Sequence, residues 1–373
     1  MSCSPARLAR RLLDWYDQHR RDLPWRAPPG QAPNPYHVLL SEVMLQQTQV
    51  ATVLPYFQRF IRQLPTIADL AAADEQLVLK LWQGLGYYRR ARNLHAAART
   101  IVQFHHGQIP PDVETLLTLP GIGRYTAAAV ASIAFGVRAA ALDGNVARVI
   151  CRLDTLAADP RKPGIQKLLW QRAEQLLPAS RVGDFNAALM DLGATICTPR
   201  RPLCRLCPVR SCCGACAAGL QHQIPTPRIA PTRPLHRRWT FCIRRHNTGN
   251  SDPAWLIEQR PSTGRWAGLW QFITLDADKH EGIVSARLLR SALQFRVTPP
   301  AHLTSIDHDL THRRYRFEVF VCDLLDGHEA QDHRNLKRRS QRPCRWIRLK
   351  DLEHYPLPRP HVRIAELLRQ LPE

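Results

Sequence analysis

The feature that most constrains the fold is a change of hydrophobic period across a proline-rich stretch. Residues 222–235 read HQIPTPRIAPTRPL, with four prolines and no regular pattern. Upstream, apolar residues recur at helical spacing; downstream, they alternate. A period near 3.6 and a period of 2 bury different faces, so the 373-residue chain is read as two bodies with separate cores. The assignment is a helical domain over 1–221, a semi-rigid linker over 222–236 and a smaller α+β domain over 237–373.

Several local signals support this division. Leu8, Leu12, Leu13 and Trp15 form a helical stripe, and Asp14 and Asp17 argue against an arginine-rich transit peptide. Asp74 caps a helix carrying Leu77, Val78 and Leu81, and Leu94, Ala97, Ala98, Ile101 and Val102 line the next. Asp112 caps VETLLTL, and Gly136 ends the helix that follows LPGIG. In the C-terminal part, Tyr315, Phe317, Val319 and Val321 alternate as a strand with one face largely buried. AWLIEQR at 254–260 reads as another strand, and VSARLLRSAL at 284–293 as a helix.

Charge points to a partner. Fifty-two Lys and Arg face 31 Asp and Glu, a net charge of +21, which attracts polyanions. No apolar run approaches the ~20 residues that span a bilayer, so no membrane role is expected. Six of the eleven cysteines fall between Cys197 and Cys216. With no visible export signal, that clustering reads as metal ligation. Cys197, Cys204, Cys207 and Cys213 are spaced C-x6-C-x2-C-x5-C, and Cys212 offers an alternative last ligand. Spacing alone admits zinc or an iron–sulfur cluster. Arg200, Arg201, Arg205 and Arg210 lie between these cysteines, placed either to meet phosphates or to balance thiolate charge.

Two stretches carry the chemistry. In LPGIGRYTAAAV (119–130), Gly121 and Gly123 form a turn whose amides lead into a helix, a grip for a phosphate oxygen. In LDGNVAR (142–148), Asp143 stands at a helix start, where its ionised form is favoured; a plain cap would look the same. Glu42 has Val38, Leu39 and Leu45 as its helical neighbours. Desolvation on such a stripe raises a carboxyl pKa into the range of a general acid. One neutral and one ionised carboxyl suit cleavage of a glycosidic bond.

The segments LPWR (23–26), SEVMLQQTQVATV (41–53), LWQGLGYYRRARNL (81–94), LPGIGRYTA (119–127), LDGNVAR and ALMDLGATIC (188–197), with the cysteine spacing, resemble adenine DNA glycosylases of the MutY type. These belong to the endonuclease III superfamily. The resemblance implies a helix–hairpin–helix element near 115–135 and a [4Fe–4S] cluster in the loop 197–213. It implies removal of flipped-out adenine paired with 8-oxoguanine or guanine in duplex DNA. Glu42 then protonates the base, Asp143 stabilises the sugar cation, and Asn145 supports it. Arg26, Gln46, Gln47, Thr48, Leu85, Gly86, Tyr87, Tyr88, Gly121 and Gly123 match residues that meet DNA, although Leu85 and Tyr87 also suit a core.

The C-terminal domain resembles the MutT-related (Nudix-like) domain of the same enzymes, mainly through EQRPSTGRWAGLWQF (258–272). EGIVSARLLRSAL lacks the acidic cluster that a Nudix hydrolase needs, so this domain is expected to bind without hydrolysing. Leu310-Thr311-His312 stands where the family's recognition loop often reads Phe-Ser-His, which assigns 8-oxoguanine contact to Thr311 and His312. Tyr125 occupies the place where bifunctional lyases carry a lysine, and no lysine lies between Lys80 and Lys162 or before Lys80. A monofunctional enzyme is therefore expected, with Tyr125 beside the reacting sugar. The remaining expectations are a monomer acting on the chromosome in a bacterial cytoplasm.

Overall fold

A computed structural model describes residues 3–28, 30–226, 232–246, 252–279, 284, 286–293, 296–325 and 342–371. Parts of the expected linker and of EGIVSARLLRSAL lie outside them. The chain divides into two compact units, Met1–Ala73 with Arg92–Ile229 and Asp74–Ala91 with Ala230–Glu373. Residues 74–91 thus group with the C-terminal unit.

The helices of the first part of the chain are α1 (Pro5–His19), α2 (Pro35–Leu45), α3 (Val50–Gln63), α4 (Ile67–Ala72), α5 (Glu75–Leu81) and α6 (Arg89–Phe104). They continue as α7 (Val113–Thr118), α8 (Arg124–Phe135), α9 (Gly144–Leu153), α10 (Pro163–Leu176), α11 (Val182–Thr195) and the short α12 (Gly214–Ala217). The local punctuation falls where the residue chemistry requires. Asp74 accepts the Gln76 amide at 2.6 Å and Asp112 the Thr115 amide at 2.7 Å, each satisfying an orphan donor of the first turn. Gly136 ends α8 in the left-handed region at φ 71°. Two residues assigned to buried stripes are exposed instead: Leu77 on α5 and Val102 on α6. A helical stripe is wider than the strip its neighbours cover, so its margins remain in water.

α2 is buried nearly all round: Val38, Leu39, Leu40, Ser41, Glu42, Val43 and Met44 are all inside. It packs on α8, which in turn packs on α11, and α11 also meets α1 and α9. Leu12, Val146, Ile150, Phe185 and Leu189 form the core between α1, α9 and α11.

The C-terminal unit is a six-stranded sheet of β1 (Leu235–Arg245), β2 (Ala254–Gln259), β3 (Trp270–Asp276), β4 (Ala301–Asp309), β5 (Arg314–Asp323) and β6 (Cys344–Arg348), ordered β4-β5-β1-β3-β2-β6. β1 and β5 are parallel and the other neighbours antiparallel. Helices α13 (Ala286–Leu293) and α14 (Arg359–Leu368) complete it. The expected strand around Tyr315–Val321 is β5, with one face buried at Tyr315, Phe317 and Val319 and the other exposed at Arg314 and Arg316 before it becomes partly covered at Phe320. Tyr315, Phe317 and Val319 share a core with Ile364 and Leu368 of α14, whereas Phe320 packs with Phe241, Ile273 and Leu289 of α13. Among the described residues, no helix is long and apolar enough to cross a membrane.

Candidate active site

Asn34 caps α2 by accepting the Tyr36 amide at 2.9 Å, and Pro35 opens the helix with its φ preset. Two turns later Glu42 is 6% exposed. Its Oε2 accepts a 2.6 Å hydrogen bond from the phenol of Tyr125, in the first turn of α8. Burial, aided by the charge of Asp143, raises the Glu42 pKa from 4.5 to about 7. The Tyr125 hydrogen bond and the Arg26 guanidinium pull it back. Tyr125 is itself pushed well above its usual range, first by burial and then by the two carboxylates, so it stays a donor.

Asp143 is the N-cap of α9 and more than a cap. Its Oδ1 accepts the Val146 amide at 2.7 Å, while Oδ2 accepts the Asn145 side-chain amide at 3.0 Å. The expected bias toward its ionised form is outweighed: burial raises the Asp143 pKa, and those bonds only oppose the rise. Asn145 accepts from Arg148 at 2.9 Å, and Arg148 also donates to the carbonyls of Gly193 (2.7 Å) and Cys197 (2.8 Å). Helix α11 can come this close because residue 193 is glycine: a Cβ there would lie 2.8 Å from the Asn145 Cβ.

A cavity of about 550 Å³ opens beside Glu42, with Tyr16, Trp25, Arg26, Leu45 and Met190 on its wall. Arg26, expected to meet DNA, lies on this wall and grips Asp191 of α11. Gln46 donates to Thr126 at 3.2 Å, Gln47 is exposed at φ 57°, and Thr48 donates to the Gln46 carbonyl. Gly121 and Gly123 are exposed in the turn between α7 and α8. Gly121 adopts φ 75°, and a Cβ on it would strike the Asn93 side chain.

In the other unit, Gly86 and Tyr87 both have positive φ, at 74° and 48°. Tyr87 is 45% exposed, whereas Leu85 and Tyr88 are buried. The Tyr87 phenol lies 2.6 Å from the Thr311 hydroxyl, in the turn between β4 and β5; His312 beside it is exposed. Sequence reading placed these two side chains in separate roles, and only the fold joins them.

Cys197, Cys204, Cys207 and Cys213 are half-buried in the loop after α11, and the charge of Cys197 acts on each of the other three thiols. Burial pushes the Cys207 thiol up to about 12, against a hydrogen bond from the Val209 amide. Cys213 is raised too, against one from the Cys216 amide. Cys212 is disulfide-bonded to Cys3, whereas Cys213 is free. Among the described residues, no three His, Cys, Asp or Glu side chains are gathered for a single metal ion. Arg200, Arg201, Arg205 and Arg210 are all exposed. The arginine that donates to a cysteine sulfur is Arg152, 3.2 Å from Cys197 Sγ and fully buried, with further bonds to the carbonyls of Thr198, Pro199 and Ile224. Sequence reading missed Arg152 and Cys216. The signal for Arg152 was its place one helical turn after Arg148.

Residues 40–175 match the HhH-GPD superfamily of base excision DNA repair proteins, and residues 241–367 match the NUDIX domain. The adenine DNA glycosylase of Rattus norvegicus is 40% identical over 362 residues, covering 84% of this chain and 70% of that protein. That of Buchnera aphidicola subsp. Acyrthosiphon pisum (strain APS) is 30% identical over 358 residues, covering 95% of each. Among solved structures, a thermostable thymine-DNA glycosylase matches with a TM-score of 0.50 at 31% identity, covering 57% of this chain and 97% of that one. The thymine enzyme accounts for little more than half of the chain, whereas the adenine enzymes match most of it, on a fold that buries a glutamate against a tyrosine near an aspartate. The chain belongs to the adenine DNA glycosylase family of base-excision repair enzymes.

Proposed function

We propose that the chain hydrolyses the N-glycosidic bond of adenine paired with 8-oxoguanine or guanine in duplex DNA, and leaves the sugar–phosphate backbone uncut. The observation that carries this reading is the 2.6 Å bond from Tyr125 to Glu42, in the slot where a lyase would carry its amine. A phenol held as a donor cannot form a Schiff base with the sugar.

The acid–base roles follow from the two environments. With a pKa of about 7, Glu42 holds its proton for a substantial part of the time at neutral pH. It delivers that proton to an adenine ring nitrogen. The C1′–N9 bond then breaks, its electron pair leaves with the base, and the sugar becomes an oxocarbenium-like cation. Asp143, held by Asn145 and the Val146 amide, offsets that positive charge until water adds to C1′. The exposed turn at Gly121 and Gly123 suits a phosphate oxygen, and Gln46, Gln47, Thr48, Gly86 and the exposed Tyr87 are assigned to the opened duplex, whereas the side chains of Leu85 and Tyr88 are buried and fit the core instead. Thr311, with His312 beside it, offers a hydroxyl to 8-oxoguanine. α13 carries no acidic residue, which supports binding without hydrolysis by the C-terminal unit.

The same reading includes a [4Fe–4S] cluster held by Cys197, Cys204, Cys207 and Cys213. The donor set suits such a group in kind, with amide donors aimed at two of the sulfurs and a buried arginine on a third, although among the described residues three of these side chains are not gathered round one point. When bound, it would tie the four sulfurs of the loop to one centre; base release itself runs on protein side chains.

Single-turnover base release from duplexes with a central adenine·8-oxoguanine, adenine·guanine, thymine·guanine or thymine-glycol site tests the proposal. Adenine release from the first two, with intact strands until alkali is added, is the expected result. Preferred release of thymine or an oxidised pyrimidine, or strand cleavage at the same rate, would overturn it.

A further inference from the structure

Asp191 sits on α11 with its carboxylate fully buried. It binds Arg26 with both oxygens, at 2.7 and 2.9 Å. It also takes the Arg21 side chain at 2.7 and 2.6 Å and the Arg21 backbone amide at 3.3 Å. A buried carboxylate between two guanidiniums contributes little net stability compared with an apolar packing of the same volume. Its place in the molecule gives it another use. Arg26 lies on the wall of the Glu42 cavity, is only 15% exposed, and rests 5.6 Å from the centre of the Tyr16 ring. The same helix brings Met190 to 3.6 Å from the Tyr125 phenol and Gly193 against Asn145.

We propose that Asp191 is a positioning residue for base release: it fixes Arg26 on the cavity wall with a bidentate grip and offsets that guanidinium's charge where it faces Glu42. This rests on Glu42 acting as the proton donor. Left uncompensated, Arg26 would favour the ionised Glu42 that cannot give a proton. With Asp191 in place, the cavity keeps a shaped, directional guanidinium without draining the acid.

The charges that face Glu42 are few enough to account for. Tyr125 comes from α8, Asp143 from the start of α9 and Arg26 from the loop after α1. Arg26 is faced by Asp191 and Tyr16. Asp17, Arg20, Arg21, Arg181 and Asp184 line the same cavity, and Arg181 is paired with both Asp17 and Asp184. Arg21 shares Asp191 with Arg26, so losing this carboxylate leaves both guanidiniums uncompensated, and losing it together with Arg26 restores the original net charge.

The test is the pH dependence of single-turnover adenine release at saturating enzyme. Release falls as pH rises through the Glu42 pKa, giving a descending limb. D191N should move that limb to lower pH by roughly one unit and slow release severalfold at neutral pH. R26M should move it upward, and D191N/R26M should bring it back close to the wild-type position, because the positive and negative charges leave together. D191E, which keeps grip and charge, should retain the wild-type limb. If D191N does not fold, which a melt monitored by circular dichroism will show, R26M and the double variant carry the test. A limb that stays at the wild-type pH in both D191N and R26M, or in R26M and the double variant, makes Asp191 a mere brace and overturns the inference. E42Q separates the two levels. Retained release in E42Q removes the acid role on which everything here depends, whereas lost release with an unmoved limb in the other variants sinks only the role of Asp191.

Discussion

At the scale of the residue, Glu42 holds two opposed properties together. A carboxyl desolvated on an all-round buried helix is costly when ionised, and that cost is what makes it an acid near neutral pH. Its folded pKa of about 7 lies above the ordinary 4.5, so its protonated form is favoured by folding. The associated stability is fully present below about pH 4.5 and is lost as pH rises through about 7, a change of roughly 3 kcal/mol. Glutamine mimics the protonated form at every pH. E42Q should therefore abolish base release yet melt higher than the wild type at pH 8, with the difference shrinking toward pH 5. Equal gaps in melting temperature at both pH values would show that Glu42 is not held neutral by burial. Tyr125 permits a second residue-scale test. Y125K should gain a covalent DNA adduct trapped by borohydride, as a lysine in a lyase slot would; no adduct would place residue 125 away from the sugar.

At the scale of the element, α11 is the frame of the site. One helix carries Asp191 for Arg26, Met190 for Tyr125 and Gly193 for Asn145. G193A adds a methyl that meets the Asn145 Cβ at 2.8 Å, in a place where backbone must shift to accommodate it. Such overpacking costs about 1–3 kcal/mol, and it should lower the melting temperature and slow base release together. The loop that follows α11 supplies another test. C213S should lose the visible absorption expected of an iron–sulfur cluster, whereas C212S should keep it, because Cys212 is tied to Cys3. Bleaching in C212S and not in C213S would exchange the two ligand assignments.

At the scale of the whole molecule, the proposed function divides between two units. The helical unit holds the carboxylates and the cavity, and the sheet unit carries Thr311 together with Tyr87 from residues 74–91. T311V keeps the side-chain shape and removes the hydroxyl. It should reduce the preference for 8-oxoguanine over guanine opposite adenine roughly five- to tenfold while sparing release from adenine·guanine pairs, and T311S should restore it. An unchanged preference would take Thr311 out of lesion recognition. The surplus of 21 positive charges belongs to this scale as well, and DNA affinity should fall steeply with added salt in a duplex-binding titration.

Much of this was written in one dimension. The period change across residues 222–235, the caps at Asp74 and Asp112 and the stop at Gly136 are local patterns, and local backbone chemistry decides them. Glu42 and Asp143 could be named because a carboxyl on an apolar stripe and one before a helix are visible as anomalies of spacing. What lay beyond reach depends on which surfaces meet. Leu77 and Val102 fit a buried stripe but face water, Arg26 turns inward to a carboxylate 165 residues away, and Tyr87 reaches Thr311 across 224 residues. Asp143 exists as both cap and candidate catalyst only because α2 and α8 bring Glu42 and Tyr125 near it. Sequence determined the elements and the residue types available for chemistry. Tertiary packing decided which side chains lose water and which charges face one another, because burial and Coulomb interactions depend on distance in space and not on separation along the chain.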